Sequence, residues 1–280
     1  MLPGYTLIRR IGQGGFGEVI LAKEDLSNRE VAIKCLKKKD IHKPEEIIHE
    51  INVISKFYHP GIVIYHHAGI VGDSIFLVME YCPKGSLREK LYRNRIPFEE
   101  SLQLMLEIAS TLRFIHEKGI IHHDIKPANL LISDTGKIKI ADFGVANSRG
   151  GTQAYMPPIY SDNRDFRTNM SLDIYALGIT FIEMVNGKHP LADLPIDEII
   201  TNLQKKNLGI DHLPLWIQEI IYKCVSLDQN IRFQSANELI HAIETKNIPV
   251  TIDSNSIKAG IIAKKNRKKF KMEKILYSIL

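Results

Sequence analysis

The chain has 280 residues, 44% hydrophobic and 25% charged, with a net charge of +5; this balance excludes a disordered or fibrous protein and leaves a sizeable core for one or two domains. Three cysteines stand far apart at 35, 82 and 224 without a C-x-x-C pair, which suggests neither a disulfide framework nor a structural zinc site and points to a reducing compartment. The basicity is local: residues 258–280 hold eight Lys or Arg against Glu273 alone, a balance of +7 that leaves −2 for the rest, so no specific nucleic-acid binding is expected of the main body.

The start, MLPGYTLIRRIGQGG, lacks a charged region followed by an apolar run, and no stretch reaches the roughly 18–20 apolar residues that span a bilayer. A soluble, cytoplasmic protein is the expectation. The first third alternates β-rich runs with turns: YTLIRRIG, EVILAKE, EVAIKCLKK, GIVIYHHAGIV and SIFLVMEY predict five strands. Between the third and fourth, KPEEIIHEINVISKFYHP carries Pro44 near its start and Ile47, Ile48, Ile51 and Ile54 at helical spacing, which predicts one amphipathic helix inserted in a small sheet.

Beyond Pro83 the period becomes 3.6. In EESLQLMLEIASTLRFIHEKG, Leu102, Met105, Ile108, Ala109, Leu112 and Ile115 form one apolar stripe that ends at Gly119. SLDIYALGITFIEMVNG opens at Ser171, a candidate cap, and is apolar nearly all round, as suits a helix in the middle of a domain. Further helices are predicted around 196–206, 214–224 and 235–245. A small β-rich lobe over 1–81 followed by a larger helical lobe over 82–247 implies a cleft between them, with a basic tail over 248–280.

Four segments carry chemistry. Gly12-Gln13-Gly14-Gly15-Phe16-Gly17 is a glycine-rich turn between two predicted strands; it lets backbone amides approach phosphate oxygens, or serves a hairpin that needs positive φ. A dinucleotide fingerprint would require a helix next, and EVILAKE reads as a strand. In Val31-Ala32-Ile33-Lys34, alternation puts Ala32 and Lys34 on one face. Lys34 is then either an edge lysine facing water or a phosphate ligand held by a carboxylate, with Glu50 as the glutamate nearest the packed face of the inserted helix.

The segment IIHHDIKPANLLI is a poor metal site, because adjacent histidines on extended chain point to opposite sides. It has what phosphoryl transfer needs: Asp124 to accept a hydroxyl proton, Lys126 to neutralise phosphoryl charge, Asn129 to hold a metal ion. Farther on, Asp142-Phe143-Gly144 follows a short β run; Asp142 is either a second metal ligand or part of a turn that ends a strand.

Taken in order, GQGGFGEV, VAIK, a helical glutamate, HHDIKPAN, DFG and DIYALG resemble the eukaryotic-type protein kinase family, on its Ser/Thr branch and nearest the prokaryotic members, over about Tyr5 to Ile243. The resemblance implies a bilobal α+β protein kinase fold that uses ATP and Mg2+ to phosphorylate protein Ser or Thr, itself included. It implies that Ile11, Gly12, Gly14, Gly17 and Val19 cover ATP, that Lys34 pairs with Glu50 and the phosphates, and that Asp124 and Lys126 act on the acceptor. Asn129 and Asp142 would hold the metal. Ala32, Val19 and Leu131 would sandwich adenine beside a hinge of Glu80, Tyr81 and Cys82, with Met79 as gatekeeper and Ser86 at the cleft's lip. Asp173 would anchor the catalytic loop, and Thr152 would support it. A scaffold that binds nucleotide without turnover is the alternative the resemblance also admits.

Three positions depart from the pattern. The family's His-Arg-Asp reads His122-His123-Asp124, so the arginine that meets a phosphorylated activation loop is replaced by a weaker cation, and activity independent of loop phosphorylation is expected. The segment from Gly144 to Gly151 encloses only VANSRG. Ala-Pro-Glu reads Pro157-Pro158-Ile159, which removes the family's usual glutamate partner for Arg232. The basic tail, with Phe270, Ile275, Leu276, Ile279 and Leu280 as its apolar members, is read as an amphipathic segment for a membrane surface, a partner, nucleic-acid contact or autoinhibitory docking, or as a solvated or partly packed helix.

Overall fold

The computed structural model describes residues 2–14, 17–37, 53, 55–143, 152–158 and 169–247. Five strands, β1 (Tyr5–Gly14), β2 (Gly17–Glu24), β3 (Glu30–Lys37), β4 (Tyr65–Val71) and β5 (Ser74–Glu80), form one antiparallel sheet in the order β1-β2-β3-β5-β4. The runs are rich in Val, Ile and aromatic residues that suit a pleated, half-buried surface. One face closes over a core of Ala22, Val31, Ile33, Phe76 and Val78. The β1–β2 hairpin ends with Gly14 paired to Gly17. Gly17 has φ +146°, and a Cβ there would lie 1.9 Å from the Cys35 carbonyl oxygen, so this turn excludes any side chain at that position.

Six helices belong to the described residues: α1 (Leu87–Arg93), α2 (Phe98–Glu117), α3 (Ser171–Asn186), α4 (Ile196–Gln204), α5 (Leu215–Cys224) and α6 (Ala236–Thr245). The axis of this lobe is α3, buried from Ser171 to Val185. Apolar residues on every face of α3 leave it no solvent side, so α2 and α5 pack around it. Gly178 is the close-approach point: a Cβ there would sit 2.8 Å from Cys224 Cβ and 2.9 Å from Val225 Cγ1. A two-stranded antiparallel ribbon, β6 (Leu130–Ile132) with β7 (Ile138–Ile140), forms a second sheet. It ties the two lobes together, because Val63 donates to the Ile140 carbonyl at 3.0 Å and Ile140 to that of Gly61 at 2.8 Å.

Several sequence expectations are corrected. The run from Gly61 begins as a strand only at Tyr65, its earlier part being used for the bridge to Ile140. Ser171 is the first helical residue rather than the cap; Met170 holds the cap position and the Asn169 side chain accepts the Ser171 amide at 2.9 Å. In α2, Leu104 is buried and Leu102 only half-buried, so the apolar face is rotated slightly from the predicted stripe. Helix α1 was not foreseen. It begins at Ser86, whose hydroxyl accepts the Glu89 amide while Glu89 accepts the Ser86 amide at 2.7 Å, a reciprocal cap. The predicted inserted helix, with Glu50, falls almost wholly outside the described residues, as do 144–151, Ile159 and the tail. All three cysteines are free. No helix among the described residues is long and apolar enough to cross a membrane.

Candidate active site

The loop between α2 and β6 is held from below by a single carboxylate. Asp173, on the first turn of α3 and fully buried, accepts the His122 amide on Oδ2 and the His123 amide on Oδ1, both at 2.8 Å. His116 Nε2 meets the same Oδ2 at 2.8 Å. Burial pushes the Asp173 carboxyl up, but the His116 hydrogen bond and the charges of three histidines outweigh it and hold the group below its ordinary value. The tether also supports a left-handed backbone at His123, φ +64°, a conformation that costs free energy outside glycine and persists only when its surroundings fix it.

His122 is buried beneath this tether. Its Nδ1 accepts the Asp124 amide at 3.2 Å, so the ring hydrogen sits on Nε2 and reaches the Ala141 carbonyl at 2.9 Å. Its ring lies edge-on to Phe143 with centroids 4.6 Å apart. The loop is thereby joined to the segment that carries Asp142. Asp142 itself has φ +63°, and its amide donates to the buried Tyr65 hydroxyl at 3.1 Å.

Asp124 is the centre of the cluster. Oδ2 accepts Lys126 Nζ at 2.7 Å and Asn129 Nδ2 at 2.8 Å. Oδ1 accepts the Thr152 amide at 3.0 Å and the Thr152 hydroxyl at 2.9 Å. Burial alone would raise the Asp124 carboxyl, yet the Lys126 ammonium, Thr152 and Asn129 together hold it below its ordinary value, so at neutral pH it is an anion ready to accept a proton. Lys126 also reaches Thr152 Oγ1 at 2.5 Å. The Thr152 hydroxyl thus shows what this pair of groups can do: a carboxylate and an ammonium converge on one alcohol oxygen.

Across the cleft, Lys34 Nζ pairs with Asp142 Oδ1 at 2.7 Å. Its expected partner Glu50 lies outside the described residues. A cavity of 1390 Å³ runs between the lobes. It is lined by Ile11, Gly12, Gly17 and Val19 from the hairpin, Ala32 and Lys34 from β3, Met79, Glu80, Tyr81 and Cys82 from the hinge, and Ser86, Lys126, Asn129, Leu131 and Asp142 from below. Asp124, covered by its own ligands, is not among the lining residues.

The Glu80 side chain is used structurally: it accepts the Ile64 amide at 3.2 Å and pairs with Lys139 at 2.9 Å, so any hinge contact to a base falls to backbone groups. The Cys82 thiol is pushed up to about 12, chiefly by burial. The Ser86 hydroxyl is engaged as the cap of α1.

The site fits a divalent metal shared with a ligand rather than one caged by protein. Among the described residues no group of three or more His, Cys, Asp or Glu could hold a metal. Asp142 and Asn129, on the same cavity, offer one carboxylate and one amide oxygen; the Asn129 amide nitrogen is taken up by Asp124, which leaves Oδ1 for a cation. Mg2+ is ordinarily held this way, by one or two protein oxygens plus phosphate and water.

Sequence reasoning missed one cluster. Arg88 on α1 pairs with Glu183 on α3 and with the Tyr155 hydroxyl, and that hydroxyl donates to Glu183 Oε2 at 2.6 Å. His189 Nε2 meets the Ala154 carbonyl at 3.0 Å and its ring packs edge-on to Tyr155. These residues are far apart in the chain, and Arg88 sits on the helix that was not foreseen. Arg232, expected to lose its usual glutamate, is buried and donates to the Ser171 hydroxyl at 3.3 Å, with the Tyr175 ring 5.7 Å away.

The sequence profile of the protein kinase domain matches residues 5–243. A probable serine/threonine-protein kinase of Clostridium perfringens is 31% identical over 278 residues, covering 90% of this chain and 40% of that protein. Serine/threonine-protein kinase PrkC of Bacillus subtilis is 32% identical over 262 residues, 86% of this chain and 40% of its own length. The human serine/threonine-protein kinase ULK3 is 32% identical over 229 residues, 76% of this chain and 48% of its own length. The chain thus spans less than half the length of each of these relatives.

Proposed function

Because the chain belongs to the protein kinase domain family, we propose that it transfers the γ-phosphoryl group of ATP to serine or threonine hydroxyls of proteins, itself included, with Mg2+ as the metal. The observation that carries this is the convergence of Asp124 and Lys126 on one hydroxyl, that of Thr152, beside a cavity lined by Lys34, Asn129 and Asp142.

In this reading the acceptor alcohol approaches Oδ1 of Asp124, which takes its proton as the oxygen attacks phosphorus. Lys126 faces the charge that develops on the transferring group. Lys34 binds the phosphates from the upper lobe, and Val19, Ala32 and Leu131 enclose the base. Asn129 and Asp142 would hold the metal, which would supply positive charge to offset that of the phosphates.

The reading that activity needs no loop phosphorylation is supported by contacts that involve no phosphate. Thr152 is tied to Asp124 and Lys126, Ala154 to His189, and Tyr155 to Glu183 and Arg88. His123, where the family has arginine, contributes its backbone amide to the Asp173 tether.

The test is transfer from labelled ATP, with Mg2+, to the protein and to a generic protein substrate, with Asp124→Asn as control. Transfer that falls by about 10²–10⁴-fold in the variant, with nucleotide binding retained, is the expected result. No transfer by the unsubstituted protein, with nucleotide binding intact, would favour a scaffold instead.

A further inference from the structure

Beyond the nucleotide-facing residues, the same cavity continues along α1 to the connection 94–97. Every carboxylate that lines it among the described residues is already engaged. Glu80 pairs with Lys139 at 2.9 Å, Asp142 with Lys34 at 2.7 Å, Glu100 with Lys90, and Glu89 accepts the Ser86 amide at 2.7 Å. Behind them, Glu183 is buried, neutralised by Arg88 and bonded by Tyr155. Among the described lining residues only Glu89 has no cation partner, and its carboxylate is used to cap α1.

The cations are not balanced in the same way. Lys84, Arg93 and Arg95 line the cavity, are exposed, and pair with no carboxylate among the described residues. Arg93 ends α1, where a cation also gains from the helix dipole, but Lys84 and Arg95 lie outside any helix and have no such reason to be basic. The connection that carries Arg95 is fixed rather than loose: Ile96 donates to the Met184 carbonyl at 2.8 Å, and Arg95 Cβ lies 3.1 Å from where a Gly187 Cβ would stand. These contacts dock it on the last turn of α3, the turn that follows Glu183.

We infer that this front end of the cavity takes an acidic stretch of a protein substrate, with Lys84, Arg93 and Arg95 as the specificity-determining cations and Arg88 as the residue that neutralises the buried Glu183 carboxylate behind it. The inference rests on the protein kinase reading, since it names the substrate class of that site. Cations of one sign around a groove draw an oppositely charged chain and repel a like-charged one.

The test uses the full chain and two labelled peptides of equal length, each with a single threonine, flanked in one by glutamates and in the other by lysines. Fluorescence anisotropy reads binding whether or not phosphate is transferred. The acidic peptide is expected to bind at least about tenfold more tightly at low salt, with the gap narrowing as salt is added. Double substitution Arg93→Glu with Arg95→Glu should abolish or invert the order. Lys205→Glu, an exposed charge reversal that is not part of the cavity lining, should keep it. Equal binding of the two peptides, tighter binding of the lysine peptide, or a preference that survives the double substitution would overturn the inference. Transfer from labelled ATP to each peptide and to the protein is measured in parallel. Preferential binding without transfer to any acceptor would break the kinase reading while leaving the acidic preference standing.

Discussion

Asn129 and Lys34 line one cavity from opposite lobes, and the two are held in very different ways. Asn129 belongs to a web that runs from α3 through Asp173 to the backbone of His122 and His123, and from there to Asp124, Lys126 and Thr152. Lys34 stands on a rigid strand, but its ammonium has a single carboxylate partner among the described residues, Asp142. The lower half is pre-organised around Asp124, the proposed proton acceptor, as electrostatic catalysis requires. The upper half supplies a cation whose partner, Asp142, is also a proposed metal ligand, so that arrangement is suited to change when nucleotide and metal enter.

The largest expected effect follows from the tether. Asp173→Ala would strand the buried His116 imidazole, the buried His122 amide and the half-buried His123 amide. A loss of about 3–5 kcal/mol is expected, since removing one partner of a buried charged network leaves the others uncompensated. Urea unfolding measures it, and a loss below about 1 kcal/mol would mean that the loop is not held from α3.

The same contrast has a pH signature. Asp173 and Asp124 both have folded values below the ordinary 3.8. Their ionised forms therefore favour the folded state fully above that ordinary value, and the contribution is lost as pH falls through the lower folded values. Unfolding midpoints taken from neutral pH to about pH 3 should fall, and Asp173→Asn should remove part of that dependence. Next in size is Gly178→Ala. The added methyl would press on Cys224 and Val225 and is expected to cost about 1–3 kcal/mol by overpacking, which tests whether α3 must sit this close to α5 to present Asp173.

Much of this contrast was legible in the chain, and the part that was not has a physical reason. The loop residues Asp124, Lys126 and Asn129 fall within six positions, so their grouping is a matter of local spacing. Lys34 and Ala32 share a face by strand alternation, and the apolar run of α3 announced its burial. The Arg88–Tyr155–Glu183 cluster was not legible, because nothing in the spacing of three polar residues on separate elements says that they meet. Its one available signal was the Ser86–Glu89 cap, which marks the start of α1 and so places Arg88 on a helix. Ser171 misled for a related reason: a serine before an apolar run is a good cap by type, but here Asn169 receives the first amide and the helix starts one residue earlier than that reading allows.

The smallest expected change in stability is the one that tests the comparison most sharply. Lys34→Met removes an ammonium from a site that is 7% exposed and puts an apolar chain of similar length in its place, which relieves a desolvation cost while losing one ion pair. Asp142 keeps partial access to water and its backbone bond to Tyr65, so it is not left buried and alone. The two terms nearly cancel, and the unfolding free energy should move by no more than about 1 kcal/mol in either direction. Phosphoryl transfer, by contrast, should be abolished with the fold intact, since the proposed phosphate ligand is gone. A variant that unfolds would show that Lys34 is structural cement like Asp173. A variant that still turns over at the original rate would remove Lys34 from the chemistry and leave the lower lobe to perform it alone.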